Sequence, residues 1–174
     1  PAMFANDRTT TAVGYWPSPW PVECGGNRRQ KSASGRLDAA SGTASVTTRR
    51  TGRWDVMAVR RDPGEWYVGG TMAAFSGPAP FGWVEKFDPV TLETLALSPE
   101  LPCGSHVWCG AILAHANGSI YSVNGSYLHR LDADDLCVEE EREGAPDPLC
   151  APARILGKRT YFLALLRQAH RVDE

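Results

Sequence analysis

The feature that most constrains the fold is a pattern of residues that occurs twice in the chain. The earlier copy covers residues 64–92 and the later copy covers residues 118–136. Each copy has a Gly turn, a short strand containing Tyr, a second loop with glycine, a strand with alternating apolar residues, and an Asp turn. Recurrence of this kind outweighs any single motif, because it predicts a chain built from repeated supersecondary units.

The two copies differ in length at one place. The leading glycines, Gly64 and Gly118, lie 54 positions apart, whereas the turn aspartates, Asp88 and Asp132, lie 44 positions apart. The difference predicts an insertion in the middle loop of the earlier copy, over residues 69–82. The shorter, later copy is therefore the basic unit.

An apolar run precedes each Gly turn and a further strand follows each Asp turn. The runs are residues 56–59 and 111–114, and the last strands are residues 92–97 and 136–141. Four short antiparallel strands in about 40 to 50 residues is the spacing of a β-propeller blade. A series of unrelated hairpins is the alternative, because these strand and turn residues are common in any β protein. Turn chemistry and strand order recur together, which favours the blade.

The segment FDPVTLE, residues 87–93, resembles a phrase found in bacterial β-propellers of the quinoprotein-like, lactonase-like and YncE-like kind. The resemblance covers roughly residues 55–144. The phrase itself marks a tight turn between outer strands and carries no chemistry. It implies an all-β fold with two consecutive four-stranded antiparallel blades. The tryptophan-aspartate ending of WD repeats and the paired glycines of kelch blades are not evident in this sequence.

Two blades are fewer than a propeller needs. A closed propeller has at least about four blades, and repeat folds need about three units for stability. Three interpretations follow: a fragment of a longer chain, sheets supplied by another copy, or terminal segments that have lost the blade pattern. Tracts rich in Arg, Ala, Ser and Gly also arise when a gene is read out of frame.

Residues 1–54 are predicted to be irregular. Prolines stand at alternate positions of the Trp-containing run from Tyr15 to Pro21, which imposes an extended course and excludes a helix or a central strand. We interpret this run as an arm whose rings pack on the domain, with a ligand for an aromatic groove as the alternative. Residues 24–52 have almost no large apolar side chain, which predicts a solvated linker. No aromatic residues interleave with the arginines of this linker, so nucleic-acid binding is disfavoured.

Residues 145–174 form a separate C-terminal segment. The blade pattern ends at Gly144, and the following prolines end the sheet. Apolar residues from Ile155 to Ala169 trace one face of a short helix. A hairpin around residues 157–159 is the competing interpretation.

Composition narrows the class of partner. The formal net charge of −2 and the 43% of hydrophobic residues are ordinary for a soluble globular protein and indicate no polyanion partner. No stretch approaches the ~20 apolar residues of a membrane span. The five cysteines lack the close pairs typical of zinc sites, so no metal site is predicted. A disulfide between Cys103 and Cys109 is sterically allowed, but free buried thiols are favoured.

Counting strands predicts which loops share one end of the sheets. Alternate connections of an antiparallel meander lie at the same end of the sheet. Three loops therefore gather on one rim: the loop before the later copy, the insertion, and the second loop of the later copy. We expect a shallow ligand site there, formed by Glu100, His106, Trp108, Phe75, Phe81 and Asn124. A histidine satisfied by backbone groups is the alternative for His106. His115 and His129 are predicted to be surface or cross-strand residues.

Three functional classes fit these observations. The first is a binding or scaffolding module without chemistry, which takes a small molecule or a protein and draws further blades from a longer chain or another copy. The second is a propeller enzyme of the lactonase or quinoprotein type, for which Glu100, His106 and Asn124 are the plausible contributors to a cofactor cradle. The third is a truncated or frame-disrupted gene product. We favour the first, and we assign no cofactor and no catalytic residue.

Overall fold

The computed structural model describes residues 14–25, 31, 42, 46–72, 80–104 and 109–143. Within these ranges the chain forms nine strands in two antiparallel sheets and has no α-helix. The predicted all-β class with two consecutive antiparallel sheets is confirmed. The C-terminal helix or hairpin predicted for residues 145–174 lies outside the described residues. The part of the chain that is described has no helix long and apolar enough to span a membrane.

The first sheet is a meander whose strands lie side by side in chain order. Its strands are β1 (Trp54–Arg60), β2 (Trp66–Met72), β3 (Phe81–Phe87) and β4 (Thr94–Leu97), and the short β5 (Leu101–Pro102) pairs with the start of β3. Burial alternates along β1, as expected of a strand. Met57 and Val59 are buried, and Ala58 between them is half-buried. The strand β5 adds a fifth member that the repeated pattern does not predict.

The second sheet repeats the meander. Its strands are β6 (Cys109–Ala114), β7 (Ile120–Asn124), β8 (Tyr127–Leu131) and β9 (Val138–Glu143), again in chain order. Asn124 and Tyr127 form the last pair of β7 and β8, so Gly125 and Ser126 make a two-residue hairpin turn. Gly125 has a φ of 56°, the positive value that a type II′ turn requires at its first central position.

The Asp turns of the two sheets have the same geometry. The carboxylates of Asp88 and Asp132 each accept hydrogen bonds from the backbone N–H groups two and three positions later, at 2.7 and 2.9 Å in the first turn and 2.7 and 3.2 Å in the second. These bonds lower the pKa of both carboxyls. Four residues after each Asp, Leu92 and Leu136 have positive φ angles of 62° and 61°.

The two sheets pack face to face through one face of each, which we call the inner faces. Gly69 allows close packing there, because a Cβ at Gly69 would lie 3.3 Å from Cδ1 of Ile112. The first strands of the two sheets, β1 and β6, contact each other. The buried residues of this core are Met57, Val59, Tyr67, Val84, Leu101, Ile112, Ala114, Ile120, Leu131, Ala133 and Leu136.

Residues 69–72 and 81–82 of the predicted insertion, residues 69–82, belong to the strands β2 and β3. The ladder between β2 and β3 continues through the pairs of Thr71 with Gly82 and Met72 with Phe81. Thr71 is fully buried, and its hydroxyl donates to the carbonyl of Phe81 at 3.3 Å. A buried β-branched residue with a bonded hydroxyl extends the strand beyond the two glycines that suggested a loop.

Residues 14–25 form an extended segment with one 3₁₀ turn (Glu23–Gly25), which we call the arm. The arm makes isolated bridges to β6, between Val22 and Leu113, and to the residue after β6, between Tyr15 and His115. Its side chains cover the face of the second sheet that points away from the first sheet. The buried residues of this second cluster are Tyr15, Val22, Ala111, Leu113, Tyr121, Val123 and Leu128.

Candidate functional site

Three of the predicted site residues, Glu100, Phe81 and Asn124, lie in the described ranges. His106, Trp108 and Phe75 lie outside them, so the pocket expected between the insertion and the His106 loop stays a prediction. The structure does not bring the three described residues together.

Neighbouring residues on a strand point to opposite faces, and this separates the predicted site residues. Asn124 is fully buried on the inner face, and a Cβ at Gly82 would lie 1.9 Å from its Oδ1 atom. Phe81 precedes Gly82 on β3 and therefore belongs to the opposite face, where it is half-buried. Glu100 is exposed in the connection between β4 and β5.

A row of polar side chains crosses the inner face of the second sheet. Ser122, His129 and Glu141 lie directly opposite one another on β7, β8 and β9. Ser122 and His129 are fully buried, whereas the side chain of Glu141 is 42% exposed. His129 Nε2 lies 3.3 Å from Glu141 Oε2. The row thus runs from the space between the sheets to the surface at the outermost strand.

Burial controls the protonation of this row. It lowers the pKa of His129 below its ordinary value, although the charge of Glu141 acts in the opposite direction. The ring of Tyr127 stacks on the imidazole, with the centroids 6.1 Å apart. His129 is therefore neutral at pH 7.

Asn124 extends the row toward the end of the sheet. Its Nδ2 donates to Ser122 Oγ at 3.0 Å, but its Oδ1 has no hydrogen-bond partner among the described residues. A hydroxyl, an imidazole and a carboxylate are the groups of a nucleophilic triad. Ser122 and His129 are fully buried, so a substrate reaches them only if the structure opens.

A buried charge lies on the outer face of the first sheet, the face that points away from the second sheet. The side chain of Glu85 is 1% exposed, and its Oε1 lies 2.8 Å from Arg49 Nη1 and accepts a hydrogen bond from Thr94. Arg53 Nη1 lies 3.7 Å from Glu85 Oε2, and its guanidinium group lies 5.2 Å from the centroid of the Trp83 ring. The carboxylate is thus held by Arg53 and by Arg49, and Arg49 belongs to the segment that the sequence predicts to be a solvated linker.

Exposed apolar side chains lie close to this charge, and none of the described segments covers them. Leu97 lies opposite Glu85 in the sheet and is 41% exposed, and its neighbour Leu95 is 57% exposed. The corresponding face of the second sheet is covered by the arm. Among the described residues, the two outer faces therefore differ in whether a segment of the chain covers their apolar side chains.

An ionic network joins the two sheets at the end where the Asp turns lie. Lys86 Nζ lies 3.2 Å from a carboxylate oxygen of Glu65 and 3.3 Å from one of Asp134, and it donates to the carbonyl of Ala133. The hydroxyl of Tyr67 donates to the same carbonyl at 2.8 Å. Residues of both sheets take part, so the network fixes the stacking of the sheets.

Cysteine and metal chemistry are limited in the described part of the chain. Cys103 is a buried free thiol, and burial raises its pKa to about 11. No group of three His, Cys, Asp or Glu side chains among the described residues is close enough to hold a metal ion. Comparisons of the chain with family models, with curated proteins and with solved structures returned no match.

Sequence reasoning overlooked the Glu85 centre. The signal was present in β3. Glu85 stands at a position of this strand that the alternation of residues does not assign to a solvent-exposed side. The basic residues needed to neutralise it lie a few positions before β1. Because a buried carboxylate needs a partner, an acid inside a strand is a reason to search for arginines nearby.

Proposed function

We propose that the chain is a pair of propeller-type blades that acts as a binding or scaffolding module for another protein. Several observations support the blade interpretation. The two sheets have the same strand order, stack face to face with their first strands in contact, and contain the same Asp turn. In a stack of blades each sheet packs between neighbours, so an outer face that lacks a neighbour is a binding surface.

The observation that carries the proposal is the open outer face of the first sheet. Its exposed leucines surround a buried Glu85 that is held by two arginines, and Trp83 lies under one of them. Exposed apolar groups next to fixed arginine and tryptophan side chains are typical of protein interfaces.

A second copy of the chain is the partner that we propose for this face. The face has charges of both signs, since the arginines of residues 49–53 lie close to Asp55. Two copies related by a two-fold axis can therefore place opposite charges against each other while they cover the leucines.

Sedimentation equilibrium over a wide range of concentration tests this proposal. We expect the wild-type chain to dimerise and Leu97→Asp to raise the dissociation constant at least about tenfold, a loss of about 1.4 kcal/mol, because it places a charge among apolar groups. Val90→Asp is the matched control, because Val90 is 77% exposed in the Asp88 turn. A chain that stays monomeric at every concentration, or equal effects of the two variants, would contradict the proposal.

A further inference from the structure

The arm binds along a seam formed by the neighbouring edges of the two sheets. It donates from Trp16 N–H to the carbonyl of Ala114 at 3.0 Å and accepts from the N–H of Ala114 through the carbonyl of Pro21 at 2.7 Å. The carbonyl of Trp20 accepts from the N–H of Arg60, on β1, at 2.7 Å. The same segment thus forms backbone hydrogen bonds with both sheets, which is the chemistry of strand addition.

Side chains of the arm fit distinct places along the seam. Tyr15 and Val22 are 5% and 1% exposed and fill the apolar cluster on the outer face of the second sheet. Trp16 donates from its indole N–H to a carboxylate oxygen of Asp62 at 3.1 Å, and the guanidinium of Arg61 lies 5.1 Å from its ring centroid. Apolar anchors give affinity, and the indole with its carboxylate and guanidinium partners gives specificity.

The prolines of the arm suit this mode of binding. Pro17, Pro19 and Pro21 have no N–H group, so these positions add no backbone donor that would need a partner where the arm does not face a strand. They also restrict the free segment to extended conformations, so less conformational entropy is lost on binding. The arm has the properties of a recognition peptide that is attached to its own binding site.

The attachment between arm and sheets is long. Residues 26–53 connect them, and the large apolar residues of that segment are Leu37 and Val46. An arm attached to the same chain has an effective concentration in the millimolar range, so a separate arm must reach similar concentrations to compete. The contacts between arm and seam are noncovalent, and they can form equally between two chains.

We propose that the seam is a recognition site for an extended segment rich in Trp and Pro, and that its partner in trans is the arm of a second copy. Exchange of the arm between two chains reproduces every contact described above and gives a closed dimer. This association is independent of the open outer face of the first sheet, because the seam lies between β1 and β6.

A synthetic peptide of residues 14–25 tests the seam directly. The full-length Val22→Asp variant weakens its own arm, and we expect the peptide to raise the melting temperature of this variant by about 2 to 5 °C. A peptide with the same Val22→Asp change is the control and should have no effect. The wild-type chain should need at least about tenfold more peptide, because its own arm competes. No shift with millimolar peptide, or equal shifts with both peptides, overturns the proposal.

If Val22→Asp does not fold, Val22→Ala replaces it, and the readout becomes the exchange of backbone amides. The N–H groups of Ala114 and Ala116 donate to the arm, at Pro21 and Gly14, so bound peptide should slow their exchange. Unchanged exchange would overturn the proposal.

Mixing two isotopically distinct full-length chains then tests the second copy. Native mass spectrometry should detect mixed dimers after brief partial unfolding, and Leu97→Asp should leave their yield unchanged. Loss of mixed dimers in Leu97→Asp would assign the association to the outer face instead of the arm, and their absence in the wild type would overturn the exchange.

Discussion

The two sheets share a meander and an Asp turn but differ in how their outer faces are closed. The second sheet is covered on the outside by the arm, which pairs with β6 and buries Tyr15 and Val22. On the outer face of the first sheet, the described residues place Arg49 and Arg53 over Glu85 and leave the leucines beside them exposed. A local pattern therefore sets the form of each sheet, whereas segments distant in sequence decide which faces meet solvent.

The largest expected effect concerns the inner faces, where both sheets meet. Gly82→Ala places a methyl group 1.9 Å from the Oδ1 of a fully buried Asn124, and we expect a loss of about 3 kcal/mol in the free energy of unfolding. Chemical denaturation measures it. The double variant Gly82→Ala with Asn124→Ala should be more stable than Gly82→Ala alone, since the clashing atoms are gone. Simple additivity of the two losses would show that the sheets do not touch there.

A pair of truncations on the two outer faces sharpens the comparison. Val22→Ala should cost about 2 kcal/mol, because Val22 is 1% exposed under the arm. Leu97→Ala should cost about 0.5 kcal/mol or less in the monomer, because Leu97 is 41% exposed. Urea unfolding at low protein concentration measures both. Equal losses would mean that the outer face of the first sheet is as well covered as that of the second.

The buried charge of the first sheet should contribute a smaller amount. Glu85→Gln keeps an acceptor for Thr94 but removes the countercharge of Arg49 and Arg53. We expect a loss of about 1 to 2 kcal/mol, since both guanidinium groups keep some contact with water. The exposed Glu93 provides the control, and Glu93→Gln should change the stability by less than about 0.5 kcal/mol. A neutral or stabilising effect of Glu85→Gln would show that the ion pairs with Arg49 and Arg53 do not hold these arginines on the first sheet.

Lowering the pH should lower the free energy of unfolding through His129 of the second sheet. Burial lowers the pKa of this residue in the folded state, so the unfolded chain binds the proton first. The stability that neutral His129 contributes is fully present above the unfolded pKa of about 6.5. It is lost as the pH falls from there through the folded pKa, by at most about 1.4 kcal/mol per pH unit. Between pH 7 and pH 5.5, stability should fall less steeply in His129→Gln than in the wild type. Identical slopes would show that His129 does not titrate with unfolding.

The smallest effect is on thiol reactivity. Burial raises the pKa of Cys103 to about 11, so about one thiol in a thousand is ionised at pH 8. Cys137 is exposed in the Asp132 turn of the second sheet. Alkylation followed by peptide mass mapping should therefore label Cys137 well before Cys103. Early labelling of Cys103 would mean that the first sheet opens locally at β5.

Sequence reasoning predicted the parts of the fold that depend on neighbouring residues. The period of two along each strand and the Asp turns are local properties, and both sheets follow from them. The addition of β5 and the extension of β2 through Thr71 depend on the ladder with β3, so the local pattern did not reveal them. The pairing of the arm with β6 also depends on distant residues, and for the same reason it was not predicted.

The candidate site was less predictable than the fold. An Asn before a Gly suggests an exposed turn, but Asn124 is buried because Gly82, on the other sheet, leaves space for its side chain. His129 was expected to be a surface or cross-strand residue, and it is a cross-strand residue that is also fully buried. Burial of a polar residue depends on the opposing sheet, and a single chain segment contains no record of that sheet.

The arm also sets an order of events during synthesis. It is made before both sheets, and its partners Leu113 and His115 are made much later, after the whole first sheet. Each meander closes through adjacent hairpins, whereas docking of the arm closes a long loop and therefore comes last. Until β6 exists, the aromatic side chains of the nascent arm have no seam to bind. During this interval the alternating prolines keep the arm from pairing with the sheet edge of another chain, because a segment without regular N–H donors cannot pair as a full strand.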